Sequence, residues 1–223
     1  MTNNEPDRTA SDRTAPDRTA SDRTALELAD WRRRVAELYA AVRAEGDPRR
    51  AHARWRAGRD ELIATHPQSP APPGAPVRVT GVPYWPYDPA LRFVLPVLPA
   101  GPGPAATLRL STDHGNLTAL RLVGRVELPG PVTGSMDIWS LEQYAGGLFV
   151  PLRDGTAGDT SYGGGRYLLD TAKGADLGGG PGTLVIDLNF LYHPSCRYNP
   201  DWQCPLAPPG NTIAGPVRAG ERM

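Results

Sequence analysis

The chain has 223 residues, with 24 basic and 24 acidic side chains and a formal net charge of zero. That length accommodates one domain with one core, and the cancelled charge provides no field to draw the molecule onto nucleic acid or an anionic membrane surface. No apolar run approaches the roughly 20 residues that span a bilayer, and Met1 leads into polar sequence where a signal peptide needs an apolar stretch, so the expected location is the cytoplasm, with neither nucleic acid nor membrane as partner.

Residues 6–25 read PDRTA, SDRTA, PDRTA, SDRTA. Such a run buries too little apolar surface to offset chain entropy, so residues 1–25 are expected to form a disordered tail. Residues 26–223 are expected to make a single domain. In it Leu28, Trp31, Val35, Leu38 and Val42 recur at helical spacing. Gly46 ends that helix, and Asp47 followed by Pro48 supplies the cap and first-turn proline of a second one. A helical hairpin over 26–66 follows, then a stiff proline-rich connector over 67–76 (PQSPAPPGAP).

From 77 to 191 the pattern is β. Eight apolar or alternating segments, at 77–82, 91–98, 105–111, 117–128, 135–141, 147–153, 166–170 and 183–191, are separated by turn-rich clusters. Short connections at 113–116 and 129–134 favour antiparallel hairpins. The fold class is therefore mainly β (α+β): an antiparallel β-barrel or sandwich of about eight strands with an N-terminal helical hairpin, the barrel being preferred. The aromatic run PYWPYDP at 83–89 is expected to plug the barrel or pack under a helix. Residues 192–223 form an irregular cap.

Two stretches carry candidate chemistry. In RDGTAGDTSYGGGRYLLD, residues 153–170, Arg153 and Arg166 bracket a turn bearing Asp154, Thr156, Thr160 and Tyr162. Two guanidinium groups beside glycine amides suit a carboxylate or phosphate, while pairing of the arginines with nearby aspartates is an equally good account. In the last strand Asp187 and Asn189 share a face that can meet Arg153 and Arg166 across the sheet. Cys196 and Cys204 follow. Zinc would need a fourth ligand from elsewhere, so a structural pair, either a disulfide or two buried thiols, is expected, with no metal and no cofactor.

The run RDGTAGDTSYGGGRYL, then DLNFLYHPSCRYNPDWQCPLAPPGN, then the closing AGE resembles the domain of unknown function 1684 family of bacterial and archaeal proteins. Trp31, THPQSP (65–70) and PYWPYDPALRF (83–93) agree with it, so the resemblance runs from about residue 26 onward. It picks out Arg153, Asp154, Thr156, Gly158, Thr160, Tyr162, Arg166, Asp187, Asn189, Tyr192, Pro194, Cys196, Cys204, Pro205, Asn211 and Glu221. His193 and Gly210 depart from it, standing where the family pattern has asparagine and glutamate. The resemblance implies no reaction.

The resulting expectation is a small polar or anionic ligand held by Arg153, Thr156, Thr160, Tyr162, Arg166, Asp187, Asn189, Tyr192 and Asn211. The alternatives are a hydrolase-type enzyme, with Asp154 or Asp187 as base and Tyr162 or an arginine stabilising charge, and a structural or partner-binding domain with no pocket.

Overall fold

The computed structural model describes residues 20–101, 106–111, 117–142 and 146–223. Most of the repeat tail thus lies outside the described residues, as does the turn at 113–116. The first helix, α1 (Ala20–Ala44), begins earlier than expected and takes in the fourth repeat. Asp22 in its first turn faces the positive end of the helix dipole, which favours this extension. In α2 (Pro48–Thr65) Asp47 caps as its sequence predicts, accepting the N–H groups of Arg49 at 2.8 Å and Arg50 at 3.1 Å.

The two helices meet through Trp55, whose indole N–H donates to the Tyr39 hydroxyl at 3.1 Å. Gly58 permits the close approach, since a Cβ there would stand 2.7 Å from Leu38. The 67–76 connector is not extended: it turns back, Ser69 donating through its hydroxyl to the Ile63 carbonyl at 2.7 Å, and Ser69 and Ala71 are buried. The expected strand at 77–82 is also absent. Val77–Thr80 forms a single helical turn, α3, because Pro76 enters with helical dihedrals and Gly81 leaves at φ 74°. The Asp60 carboxylate then takes the Val82 N–H at 3.0 Å, in place of a neighbouring strand.

Among the described residues eight strands follow: β1 (Arg92–Pro96), β2 (Leu98–Pro99), β3 (Thr107–Ser111), β4 (Leu117–Leu128), β5 (Gly134–Leu141), β6 (Leu148–Leu152), β7 (Arg166–Asp170) and β8 (Thr183–Asp187). They form two antiparallel sheets, one of β1 and β8, the other running β2-β4-β5-β6-β7 with β3 also on β4. Among the described residues no ladder joins β7 back to β2, so the strands do not close into a barrel. Instead, Tyr192 occupies the edge of β7, exchanging two backbone bonds with Tyr167 at 2.8 and 3.0 Å. β8 pairs with β1, far away in sequence, which places Arg92 opposite Asp187.

β8 ends at Asp187, four residues earlier than its apolar run predicts. The Asp187 side chain accepts the Asn189 N–H, and Leu188–Phe190 turn into a 3-10 helix. β6 and β7 are buried on both faces. One face packs Val150, Leu152 and Leu168 into a core shared with Trp55 and Ile63 of α2 and Phe190. The other packs Phe149 and Tyr167 with Trp139, Cys196 and Cys204. Tyr84 of the aromatic run does pack under a helix, its ring 5.6 Å from Trp55.

Candidate functional site

The turn between Arg153 and Arg166 is an internal lock, not an anion clamp. Arg166 is completely buried. Its guanidinium donates to Asp154 at 2.7 Å and to the carbonyls of Val217, at 2.9 Å, Ala219, and Glu221, at 2.9 Å. Asp154 accepts in addition from the Thr156 N–H and hydroxyl, at 2.9 and 2.7 Å, and from the Val217 N–H at 3.0 Å. Burial alone would raise its carboxyl. The Arg166 charge and these donors outweigh burial and hold it below the usual carboxylate range. Arg153, by contrast, is at the surface, its Nε donating to the Gly163 carbonyl at 3.0 Å.

The other predicted residues are divided between the β6–β7 turn, the turn after β8 and the C-terminal cap. Thr160 is exposed. Tyr162 is half-buried, and its backbone N–H donates to Nε2 of His193 at 3.2 Å. Asn211 is structural: its side chain accepts the Trp139 indole N–H at 2.7 Å and donates to the Asp137 carbonyl at 2.8 Å. Asn189 closes both backbone groups of Asp88, each at 2.8 Å. Tyr192 lies beneath Arg59, 4.7 Å from guanidinium to ring centre. Arg59 was not picked out by sequence, where it is one arginine among many on α2. It pairs with the fully buried Glu221, which also accepts from the His193 N–H at 2.6 Å and the Tyr198 hydroxyl at 3.0 Å. Burial opposes the charge on Glu221, yet Arg59 and His193 prevail and bring its carboxyl down to about 2.

A hollow of about 70 Å³ lies beneath the hairpin, against Trp31, Tyr39, Arg59, Lys173 and Tyr192. Its polar groups are already matched, Lys173 with Asp170 at 3.1 Å and Arg59 with Glu221.

Asp187 has different surroundings. It lines a cleft of about 330 Å³ between the α1–α2 turn and the β1–β8 sheet, whose walls include Arg43, Gly46, Pro48, Arg92 and the backbone of Gly178. A separate hollow of about 340 Å³, against Asp47, Arg49 and Tyr87, also has Arg92 and Pro48 in its wall. Asp187 is 1% exposed, and Arg92 Nε stands 3.7 Å from its carboxylate. Burial raises the Asp187 carboxyl to about 6, although the Asn189 donors and Arg92 pull the other way.

Two more polar groups lie in this neighbourhood. The Tyr87 hydroxyl is buried beside Asp187, and burial together with the Asp187 charge pushes it up to about 12. His52, ring centre 5.2 Å from that of Tyr87, has its Nε2 buried and unpartnered. Burial, aided by Arg56, brings its imidazole down to about 4. The carboxyl, the phenol and the imidazole are each shifted chiefly by burial. The structure therefore brings Asp187 to Arg92 and Tyr87, with His52 against Tyr87, and does not bring it to Arg153 or Arg166. Periodicity revealed Asp187; Arg92 came only with the long-range β1–β8 pairing.

The sequence profile of the family described as "Protein of unknown function (DUF1684)" matches residues 78–222. The chain belongs to this family. Among solved structures, the DUF1684 chain is similar to the solution NMR structure of an uncharacterised protein from gene locus rrnAC0354 of Haloarcula marismortui, with 32% identity and a TM-score of 0.53. The match covers 75% of this chain and 90% of the other. Among curated proteins none matches this DUF1684 chain. Among its described residues no helix is long and apolar enough to cross a membrane.

Proposed function

We propose that the protein binds a small polar molecule in the cleft against Arg92 and Asp187, with a hydrogen-bond donor of the ligand directed at Asp187 and an anionic group at Arg92. The observation that carries this reading is the Asp187 carboxylate itself: it is desolvated and set against an arginine on the wall of a cleft large enough for a metabolite-sized guest. Glycines at 46, 178 and 179 keep that wall low. The Tyr87 hydroxyl, beside Asp187, extends the same polar surface.

The Asp187 carboxyl near 6 favours a second reading, acid–base catalysis of a hydrolase type on the bound molecule, since such a group exchanges its proton close to neutral pH. Ligand-observed NMR with a mixture of small zwitterions, hydroxy acids and phosphate esters tests the first reading. Saturation transfer to at least one compound, lost in Arg92→Gln and in Asp187→Asn but kept in Arg153→Gln, is the expected result. Binding indifferent to both cleft variants, or no binding across the mixture, would remove it. Turnover of the bound compound, abolished in Asp187→Asn, would extend it to the second.

A further inference from the structure

Cys196 and Cys204 lie apart from the Arg92 cleft, in the second apolar cluster with Phe149, Trp139 and Tyr167. Neither is in a disulfide, and they are 9% and 3% exposed. They are neighbours in space, the backbone N–H of Cys196 donating to Cys204 Sγ at 3.3 Å. The Cys196 thiol also faces the Tyr162 hydroxyl at 3.8 Å.

A cysteine buried only for packing is made less acidic by its apolar surroundings. Here the contacts act the other way. The Cys196 thiol first, then its N–H, the Lys173 ammonium and the backbone of Ser195, outweigh burial and make Cys204 more acidic than an ordinary thiol. The chain that bears both sulfurs is held by short 3-10 turns such as Ser195–Arg197, outside any sheet ladder. Reaction with a small disulfide requires this segment to open locally, since both thiols are buried.

We propose that Cys196 and Cys204 form a thiol–disulfide exchange site whose substrates are low-molecular-weight disulfides of the glutathione type, and that it closes to a reversible Cys196–Cys204 disulfide. The Cys204 thiolate attacks one sulfur of the small disulfide; that S–S bond breaks, and one thiolate leaves and takes up a proton. A mixed disulfide on Cys204 remains. Cys196 then gives its proton to water and attacks the Cys204 sulfur, expelling the second small thiolate, which is protonated in turn. The two protein thiols are oxidised by two electrons, and the small disulfide is reduced to two thiols. Lys173 stabilises the attacking thiolate and is a positioning residue.

The full-length protein is equilibrated in buffers of reduced and oxidised glutathione over a range of ratios, acid-quenched, alkylated in denaturant and weighed intact. The expected wild-type result is a single transition from two alkyl groups to none, with a loss of two hydrogens and no retained glutathione. Cys196→Ser should trap one glutathione on Cys204, and Lys173→Gln should slow the first step by about tenfold while leaving the near-ultraviolet spectrum unchanged. Two alkylatable thiols at the most oxidising ratio would overturn the proposal. So would glutathione retained on the wild type in place of an internal bond.

Discussion

Arg166 and Asp154 face each other at 2.7 Å with neither side chain open to solvent, and the same guanidinium binds three carbonyls of the final seven residues. The pair therefore fastens the C-terminal segment to the β6–β7 end of the larger sheet. Removing one partner leaves the other as an uncompensated buried charge, a loss of roughly 3–5 kcal/mol. Asp154→Ala is expected to lower the midpoint of urea denaturation accordingly, while Arg153→Ala, at the surface, changes it by less than about 0.5 kcal/mol. Equal effects of the two would show that the buried pair is not what holds the cap.

Asp187 behaves oppositely with pH. Its folded carboxyl, near 6, lies above the unfolded value of 3.8, so the folded form binds more protons between those limits. Stability from this group is full below about 3.8 and is lost as pH rises through 6. Asp187→Asn removes the desolvated charge and keeps an oxygen to accept from Asn189. It is expected to be stabilising at pH 8, by an amount on the order of 1–2 kcal/mol, and nearly neutral at pH 4. Thermal melts of both proteins across that range decide it. A gain at pH 8 joined to a loss of ligand binding would be the signature of a carboxylate kept for function at a cost to the fold.

Glu221 has the reverse sign. Its folded carboxyl near 2 lies below the unfolded 4.5, so its contribution is present above 4.5 and disappears as pH falls toward 2. Glu221→Gln is expected to be destabilised at pH 7, because Arg59 then lacks its counter-charge, and to lose less additional stability than the wild type between pH 4.5 and 2. Parallel denaturation curves at pH 7 and pH 3 measure the difference. An identical acid dependence in both proteins would place the titrating group elsewhere.

Local rules in the sequence were informative where the physics is local. Asp47 caps α2 and Tyr84 packs beneath it, both readable from a few residues. Asp187 was visible as a polar residue in an apolar run, but its partner was not, because Arg92 lies on a strand that pairs across nearly a hundred residues. Arg153 and Arg166 look equivalent in a motif that brackets one turn. Only the position of Val217, Ala219 and Glu221 makes one of them a buried fastener and leaves the other at the surface. The barrel expectation failed for a related reason: alternation counts strands, whereas closure depends on where the chain goes after β7, and Tyr192 takes that edge.

Gly210, one of the departures from the family pattern, sits against Asp137. A Cβ there would stand 1.9 Å from the Asp137 carboxylate, a side chain that is itself buried and tied to Arg125 at 2.8 Å. Asn211, next in sequence, donates to the Asp137 carbonyl and accepts from Trp139, so the backbone at 210 has little room to retreat. Gly210→Ala is expected to cost roughly 1–3 kcal/mol by overpacking. Asp137→Gly in the same chain should restore part of the loss, since the carboxylate that blocks the new methyl is then gone. A double-mutant cycle by urea denaturation reads the coupling directly. Strict additivity would mean that glycine stands at 210 for some reason other than this contact.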